Sequence, residues 1–301
     1  MTYSPAFSEA TQRWMDSGRR IAVDAHKVFV YESGEGPNVL MIHGFPTSCY
    51  DWREIIDILK EGFRCIAFDF LGFGLSDKPE AFSYSLFQQT DMIEGLAERL
   101  NIEEAHVISH DMGTSAHTEL LARQQEGRLR FKILSSTFLN GSMIKNMATL
   151  TDFQRMLEDP QQLEKAIQFC TNMSQLYLPS LKKLMKKPNA ISNTDAVVMK
   201  EILSYQQGNL RIPNVYAYVR ERYLHKERWL GTLRSAQTPV QFVWATGDPV
   251  ANRDMGKALA AMVPQARYTE VEGIGHFIPI EAPETVAAAF RSFVEQAAIE
   301  K

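Results

Sequence analysis

The sequence predicts an α/β fold in which a mostly parallel, eight-stranded sheet is flanked by helices and carries an inserted helical segment. Three observations predict it. Short, solidly apolar runs at residues 39–42, 65–70, 131–138 and 240–245 have the composition of strands buried on both faces. Between them lie stretches with helical spacing of apolar positions, such as Met92, Leu96 and Leu100, and a repeated strand–helix order makes a parallel sheet. From about residue 141 to 234 the strand signal stops, and it resumes at Val240.

Each element can be justified in turn. Residues 20–26 and 27–32 alternate or cluster apolar side chains and read as two antiparallel strands, ended by Gly34 and Gly36. The buried run 39–42 leads into His43-Gly44-Phe45-Pro46, and a helix follows over 51–60. Residues 65–70 form the next strand and open into 71–79, a loop punctuated by Gly72 and Gly74. A helix over 88–100 precedes a short strand at Val107-Ile108, which ends in Ser109-His110-Asp111-Met112-Gly113 before helical spacing returns at about Thr114. After the strand at 131–138, helical stretches rich in Leu, Met, Lys and Glu are broken by Pro160, Pro179, Pro188 and Pro213. Strands at 240–245 and 267–271 run into Thr246-Gly247-Asp248-Pro249 and Gly273-Ile274-Gly275-His276, and an amphipathic helix spans 283–298. The expected organisation is one core, residues 1–140 and 235–301, with a helical cap over 141–234.

Composition narrows the function classes. A chain of 301 residues, 45% hydrophobic and 23% charged, has the balance of an ordinary globular protein. Its net charge of -4 gives no nucleic-acid footprint, and the basic cluster Lys182, Lys183, Lys186, Lys187 reads as a solvated helix face. No stretch is apolar for long enough to span a bilayer, and residues 1–20 lack the charged-then-apolar pattern of a secretory leader. Cys49, Cys65 and Cys170 have neither disulfide nor zinc spacing, so a reducing cytoplasm is the expected setting. The partner expected is a small-molecule substrate; oligomeric state has no signature in the sequence.

The chemistry gathers at strand ends. Small residues at 109 and 113 around a reactive residue at 111 fit a nucleophile elbow, a strained strand-to-helix turn that exposes its apex side chain. The apex here is Asp, with Ser109 two residues before it, which argues against a serine esterase. A carboxylate is a weak nucleophile toward acyl carbons but displaces a leaving group from an sp3 carbon. The plainer alternative is that Asp111 only caps the following helix. Asp248 and His276 complete a nucleophile, acid, histidine order, each at the C-terminal end of an expected strand, where parallel sheets collect their catalytic groups. His43 opens the loop after the first buried strand and shapes it; His110 packs beside the apex; neither has metal-ligand spacing. With Phe277, these two are expected at the substrate pocket, and Phe45, Phe70, Phe73 and Met112 in its apolar wall. Met143, Met147, Met156 and Met173 would lend the cap a yielding apolar surface.

His43-Gly44-Phe45-Pro46, residues 69–79, His110-Asp111-Met112-Gly113, Gly247-Asp248-Pro249 and Gly275-His276-Phe277 together resemble the epoxide hydrolase and haloalkane dehalogenase branch of the α/β-hydrolases, over nearly the whole chain. The block His43 to Trp52, with residues 69–78, is also similar to the mesoderm-specific transcript family. The resemblance implies a cofactor-free, metal-free, two-step mechanism. Asp111 would form an alkyl ester, and His276, oriented by Asp248, would activate water to hydrolyse it. Backbone N–H groups of Phe45 and Met112 would form the oxyanion hole.

The leaving group is where readings divide. Dehalogenases of this branch usually carry Trp where Met112 stands and often Asn where Phe45 stands. Epoxide hydrolases share the His-Gly-Phe-Pro loop and protonate the departing oxygen with cap tyrosines, because an alkoxide leaves poorly without an acid. Tyr218 matches that motif first and Tyr216 second; Tyr177 and Tyr205 are further candidates. An epoxide hydrolase on small apolar substrates is the leading expectation. Alternatives are a haloalkane or haloacid dehalogenase, the latter with Arg220 holding a carboxylate, a β-lactone enzyme, or a non-catalytic ligand-binding protein of the same fold.

Overall fold

The computed structural model describes residues 7–299 except residue 264; residues 1–6, part of the stretch inspected for a leader, lie outside it. Its strands are β1 (Arg19–Val23), β2 (His26–Ser33), β3 (Asn38–Ile42), β4 (Arg64–Phe68), β5 (Glu104–His110), β6 (Lys132–Leu139), β7 (Val240–Ala245) and β8 (Arg267–Val271). They form one eight-stranded sheet in the order β1-β2-β4-β3-β5-β6-β7-β8. The first two pairings, β1–β2 and β2–β4, are antiparallel, and all others are parallel. This is the sheet the apolar runs predicted. In β3 and β7 nearly every side chain is buried, because helices cover both faces.

Helices α1 (Glu9–Ser17), α2 (Arg53–Leu59), α3 (Leu86–Arg99) and α4 (Gly113–Gln125) belong to the first half of the chain. Between β6 and β7 come α5 (Asp152–Glu158), α6 (Leu163–Thr171), α7 (Met173–Lys182), α8 (Asn193–Ser204), α9 (Ile212–Val215), α10 (Tyr218–Leu224) and α11 (Lys226–Arg234). The last are α12 (Arg253–Met262), α13 (Ile278–Glu281) and α14 (Pro283–Ile299). Capping boxes at Thr151 and Ser192 start α5 and α8. No helix among the described residues is long and apolar enough to cross a membrane.

Three local differences from the sequence reading have physical causes. Helix α1 was hidden in a polar stretch because it buries only Thr11 and Trp14; the indole ring packs against Phe29, Tyr31 and Tyr50. The strand expected through Phe70 ends at Phe68, since the Asp69 carboxylate turns to accept the N–H groups of Cys49 (2.8 Å) and Leu75 (2.7 Å). The two-residue strand expected at 107–108 extends over the seven residues of β5, whose flanking His106, Ser109 and His110 are buried too.

Candidate active site

The turn from β5 to α4 holds Asp111 at φ 49°, a left-handed backbone that a non-glycine residue adopts at a cost. Its neighbours must be small. A Cβ on Gly113 would meet the carbonyl oxygens of Ile42 and His43 at 2.5 and 2.6 Å, and one on Gly44 would meet the Asp111 Cβ at 2.6 Å. The Asp111 carboxylate does not cap α4, which has no side-chain cap. Instead its Oδ1 accepts the Phe45 N–H at 2.8 Å, and its Oδ2 lies 3.6 Å from His276 Nε2.

His276 Nδ1 is 2.8 Å from Asp248 Oδ2. Asp248 is itself fixed, its Oδ1 accepting from the N–H groups of Val250 (2.7 Å) and Ala251 (3.1 Å). Burial pulls the His276 imidazole down, but the charges of Asp248 and then Asp111 outweigh it and raise the pKa to about 9. The structure thus brings Asp111, His276 and Asp248, distant in sequence, together: His276 is hydrogen-bonded to Asp248 and faces Asp111 across 3.6 Å.

A cavity of about 360 Å³ opens onto Asp111 and His276. Its walls are mostly apolar: Phe45, Pro46 and Val250 from the sheet side, and Phe153, Met156, Phe169, Met173, Tyr177, Leu181 and Leu184 from the segment between β6 and β7. Several expected wall residues stand behind it. His43, fully buried, places Nδ1 2.8 Å from the Gly44 carbonyl and accepts the Phe70 N–H on Nε2 at 3.1 Å. His110 has Nε2 2.8 Å from the His276 carbonyl oxygen; burial lowers its pKa to about 4, so it is neutral there. Phe277 lies edge-on to His276 at 5.1 Å. These three shape the loops and the histidine backbone, and their side chains do not line the cavity. The same holds for Phe70, Phe73, the Met112 side chain, Met143 and Met147.

Of the tyrosines, Tyr177 lines the cavity, and burial pushes its phenol well above the ordinary value. Tyr218 is buried against Phe45 (ring centroids 5.5 Å apart) and close enough to Asp111 for the carboxylate, after burial, to raise its phenol further; it lies outside the cavity wall. Tyr216 packs against both Tyr218 (6.1 Å) and Phe45 (5.9 Å) and also lies outside the wall. Tyr205 sits against Arg20 and Lys78. Arg220 is exposed on the surface of α10 and cannot hold a carboxylate at Asp111.

Three residues not selected from the sequence support the site. Asn140, just after β6, donates from Nδ2 to Asp248 Oδ2 at 2.9 Å and accepts the Ala245 N–H at 2.7 Å. Glu281 Oε2 accepts the N–H groups of Lys186, Lys187 and Gly275 at 2.7, 2.8 and 3.1 Å. Arg222 of α10 reaches the elbow and donates to the Asp111 carbonyl oxygen at 2.9 Å. The first had a faint signal, a polar residue at the end of a buried strand; the other two had none.

The comparisons with known proteins agree with this architecture. The family model for the alpha/beta hydrolase fold matches residues 37–283. The protein LipZ of Mycobacterium tuberculosis is 36% identical over 95% of this chain and 99% of its own. The human mesoderm-specific transcript homolog protein is 29% identical over 96% of this chain and 89% of its own. Two solved structures superpose well: the epoxide hydrolase VrEH1 from Vigna radiata, with TM-score 0.76, 23% identity and coverage of 94% and 99%, and the haloalkane dehalogenase DbeA from Bradyrhizobium elkani, with TM-score 0.74, 20% identity and coverage of 95% and 99%. At that identity the structures speak for the fold, and the family match and LipZ for descent: the chain belongs to the α/β-hydrolase family.

Proposed function

We propose that this hydrolase opens epoxides of small apolar compounds through an ester on Asp111. The observation that carries the reading is the divided environment of the Asp111 carboxylate, with Oδ1 on the Phe45 N–H and Oδ2 free toward His276 and the cavity. Oδ2 attacks a ring carbon, the C–O bond of the epoxide breaks, and the departing oxygen takes a proton from a tyrosine. Tyr177 is the first choice because it lines the cavity; Tyr218, favoured by the motif, and Tyr216 follow it.

In the second step His276 Nε2 takes a proton from water, and the hydroxide adds to the Asp111 carboxyl carbon. Negative charge develops on Oδ1, where the Phe45 N–H already points and the Met112 N–H joins it. Collapse expels the diol oxygen, which takes the proton from His276; the proton left on the new carboxyl returns to the tyrosinate. Ester formation favours this role: it removes the Asp111 charge, which after Asp248 helps to hold the imidazole pKa up, so the pKa of His276 falls in the ester.

A haloalkane or haloacid dehalogenase would use the same first attack, and a β-lactone enzyme would too. The cavity wall favours the epoxide: it holds Tyr177, whose hydroxyl has only a long 3.4 Å bond to the Pro46 carbonyl to give up, and, among the described residues, no indole N–H for a halide. Intact-protein mass spectrometry of His276→Gln incubated with styrene oxide and 1-bromobutane tests this. The expected result is an adduct of one whole epoxide, absent when Asp111→Ala is added. An alkyl adduct with bromide release would replace the reading by the dehalogenase. Saturable ligand binding with no adduct and no turnover would replace it by a non-catalytic receptor.

A further inference from the structure

The buried arginine of α10 is more than an anchor for the helical segment. Arg222 is 2% exposed, and its guanidinium donates to the hydroxyl oxygens of Ser115 (2.6 Å) and Ser142 (3.0 Å) and to the Asp111 carbonyl (2.9 Å). All three acceptors are neutral, and no ion pair involves it among the described residues. Arg123, also buried, is met by Glu94, Asp91 and Glu119. A buried cation without a counter-ion is costly, and an anchor made only for stability would carry a carboxylate partner or an apolar side chain. The Tyr218 ring, 5.0 Å from the guanidinium carbon, covers it.

The carbonyl it chooses belongs to a particular peptide. The Asp111 C=O and the Met112 N–H are two ends of one conjugated unit. That carbonyl accepts three donors: Arg222 Nη2, the Thr114 hydroxyl at 2.6 Å and the Thr114 N–H at 3.1 Å. Donors on the oxygen draw electrons from the nitrogen and make its N–H more acidic, and a charged donor does so most strongly. We propose that Arg222 is a positioning residue that strengthens the Met112 N–H as an oxyanion donor by polarising the Asp111–Met112 peptide. The inference rests on the reading above in which Met112 is the second donor to the developing oxyanion. Because a guanidinium keeps its proton at any physiological pH, this polarisation is constant. It acts on ester hydrolysis, where charge appears on Oδ1, and little on ester formation, where charge leaves Asp111.

Two readouts test it, and the first needs no substrate. In protein labelled with 15N-methionine, the Met112 amide is identified as the cross-peak lost in Met112→Leu. Arg222→Met should move its proton upfield, Thr114→Val should move it the same way, and Ser142→Ala, which removes only an anchor, should leave it in place. Thr114→Val keeps the test alive if Arg222→Met does not fold. The second readout is single-turnover kinetics with styrene oxide. In Arg222→Met, decay of the ester should slow about tenfold, a fraction of the roughly 10²–10³ that loss of a whole oxyanion donor costs. Ester formation should change less than twofold. An unmoved Met112 proton in Arg222→Met overturns the inference, as does one unmoved in Thr114→Val where Arg222→Met does not fold, or equal slowing of both half-reactions. If no ester forms on styrene oxide, the reading of the function fails while the amide shift still decides this one.

Discussion

His276 carries the pH dependence of the site, because its charge is set by two carboxylates against the pull of burial. Its folded pKa, about 9, lies above the unfolded value of 6.5, so its contribution to stability is full below pH 6.5 and is lost as pH rises through 9. Urea unfolding should therefore show a fall in stability from pH 6.5 to 9 that is smaller in His276→Gln; equal falls would show that the imidazole is not raised. Asp111→Asn should bring the His276 titration, read by histidine NMR, to lower pH, as the ester is argued to do. At Gly113, alanine must displace the backbone of β3 near Ile42 and His43, and equilibrium unfolding should register a loss of about 1–3 kcal/mol. Asp111, Asp248 and His276 were legible as candidates because each ends an apolar run in an order that means something. Arg222 was not, because what it does depends on an oxygen 111 positions away, and nothing in the local sequence of α10 points there.

Among the elements, the strands were the easiest to read, since burial on both faces leaves an unbroken apolar run. Helices were legible in proportion to the side chains they bury. Helix α12 shows only Met255, Gly256 and Leu259 as buried, and α1 fewer, so neither left a mark in the sequence strong enough to read. The cavity wall was the least legible, because most of it comes from the helices between β6 and β7, whose packing over the sheet no periodicity encodes. Only Phe45, Met156 and Met173 of the expected lining reach it. Glu281 at the end of α13 ties two loops together, and this tie carries a prediction at the scale of elements. Glu281→Gln keeps the shape and removes the charge on which the Lys186, Lys187 and Gly275 amides converge. Hydrogen exchange at these amides should quicken, since charged hydrogen bonds contribute roughly 1.5–3 kcal/mol each; unchanged protection at Lys186 and Lys187 would show that the loop is held elsewhere.

Across the whole molecule, one apolar cluster runs without a break from the sheet, through Val39 and Phe138, into the helical segment at Leu157, Cys170 and Val198. Continuous packing of this kind joins its parts in one cooperative unit. Denaturation followed by far-ultraviolet circular dichroism and by tryptophan fluorescence should give a single coincident transition; an earlier loss of helix alone would separate the segment from the core. The same continuity reaches His276. Its own backbone N–H donates to the Leu184 carbonyl at 2.8 Å, and Gly275 is too close to Leu184 and Lys186 to admit a side chain. Leu184 is also part of the wall over the cavity. One backbone hydrogen bond therefore ties a residue of the cavity wall to the imidazole's own peptide. A substitution that displaced Leu184 would also shift His276 against Asp248, so the shape of the cavity and the placement of the histidine are set together.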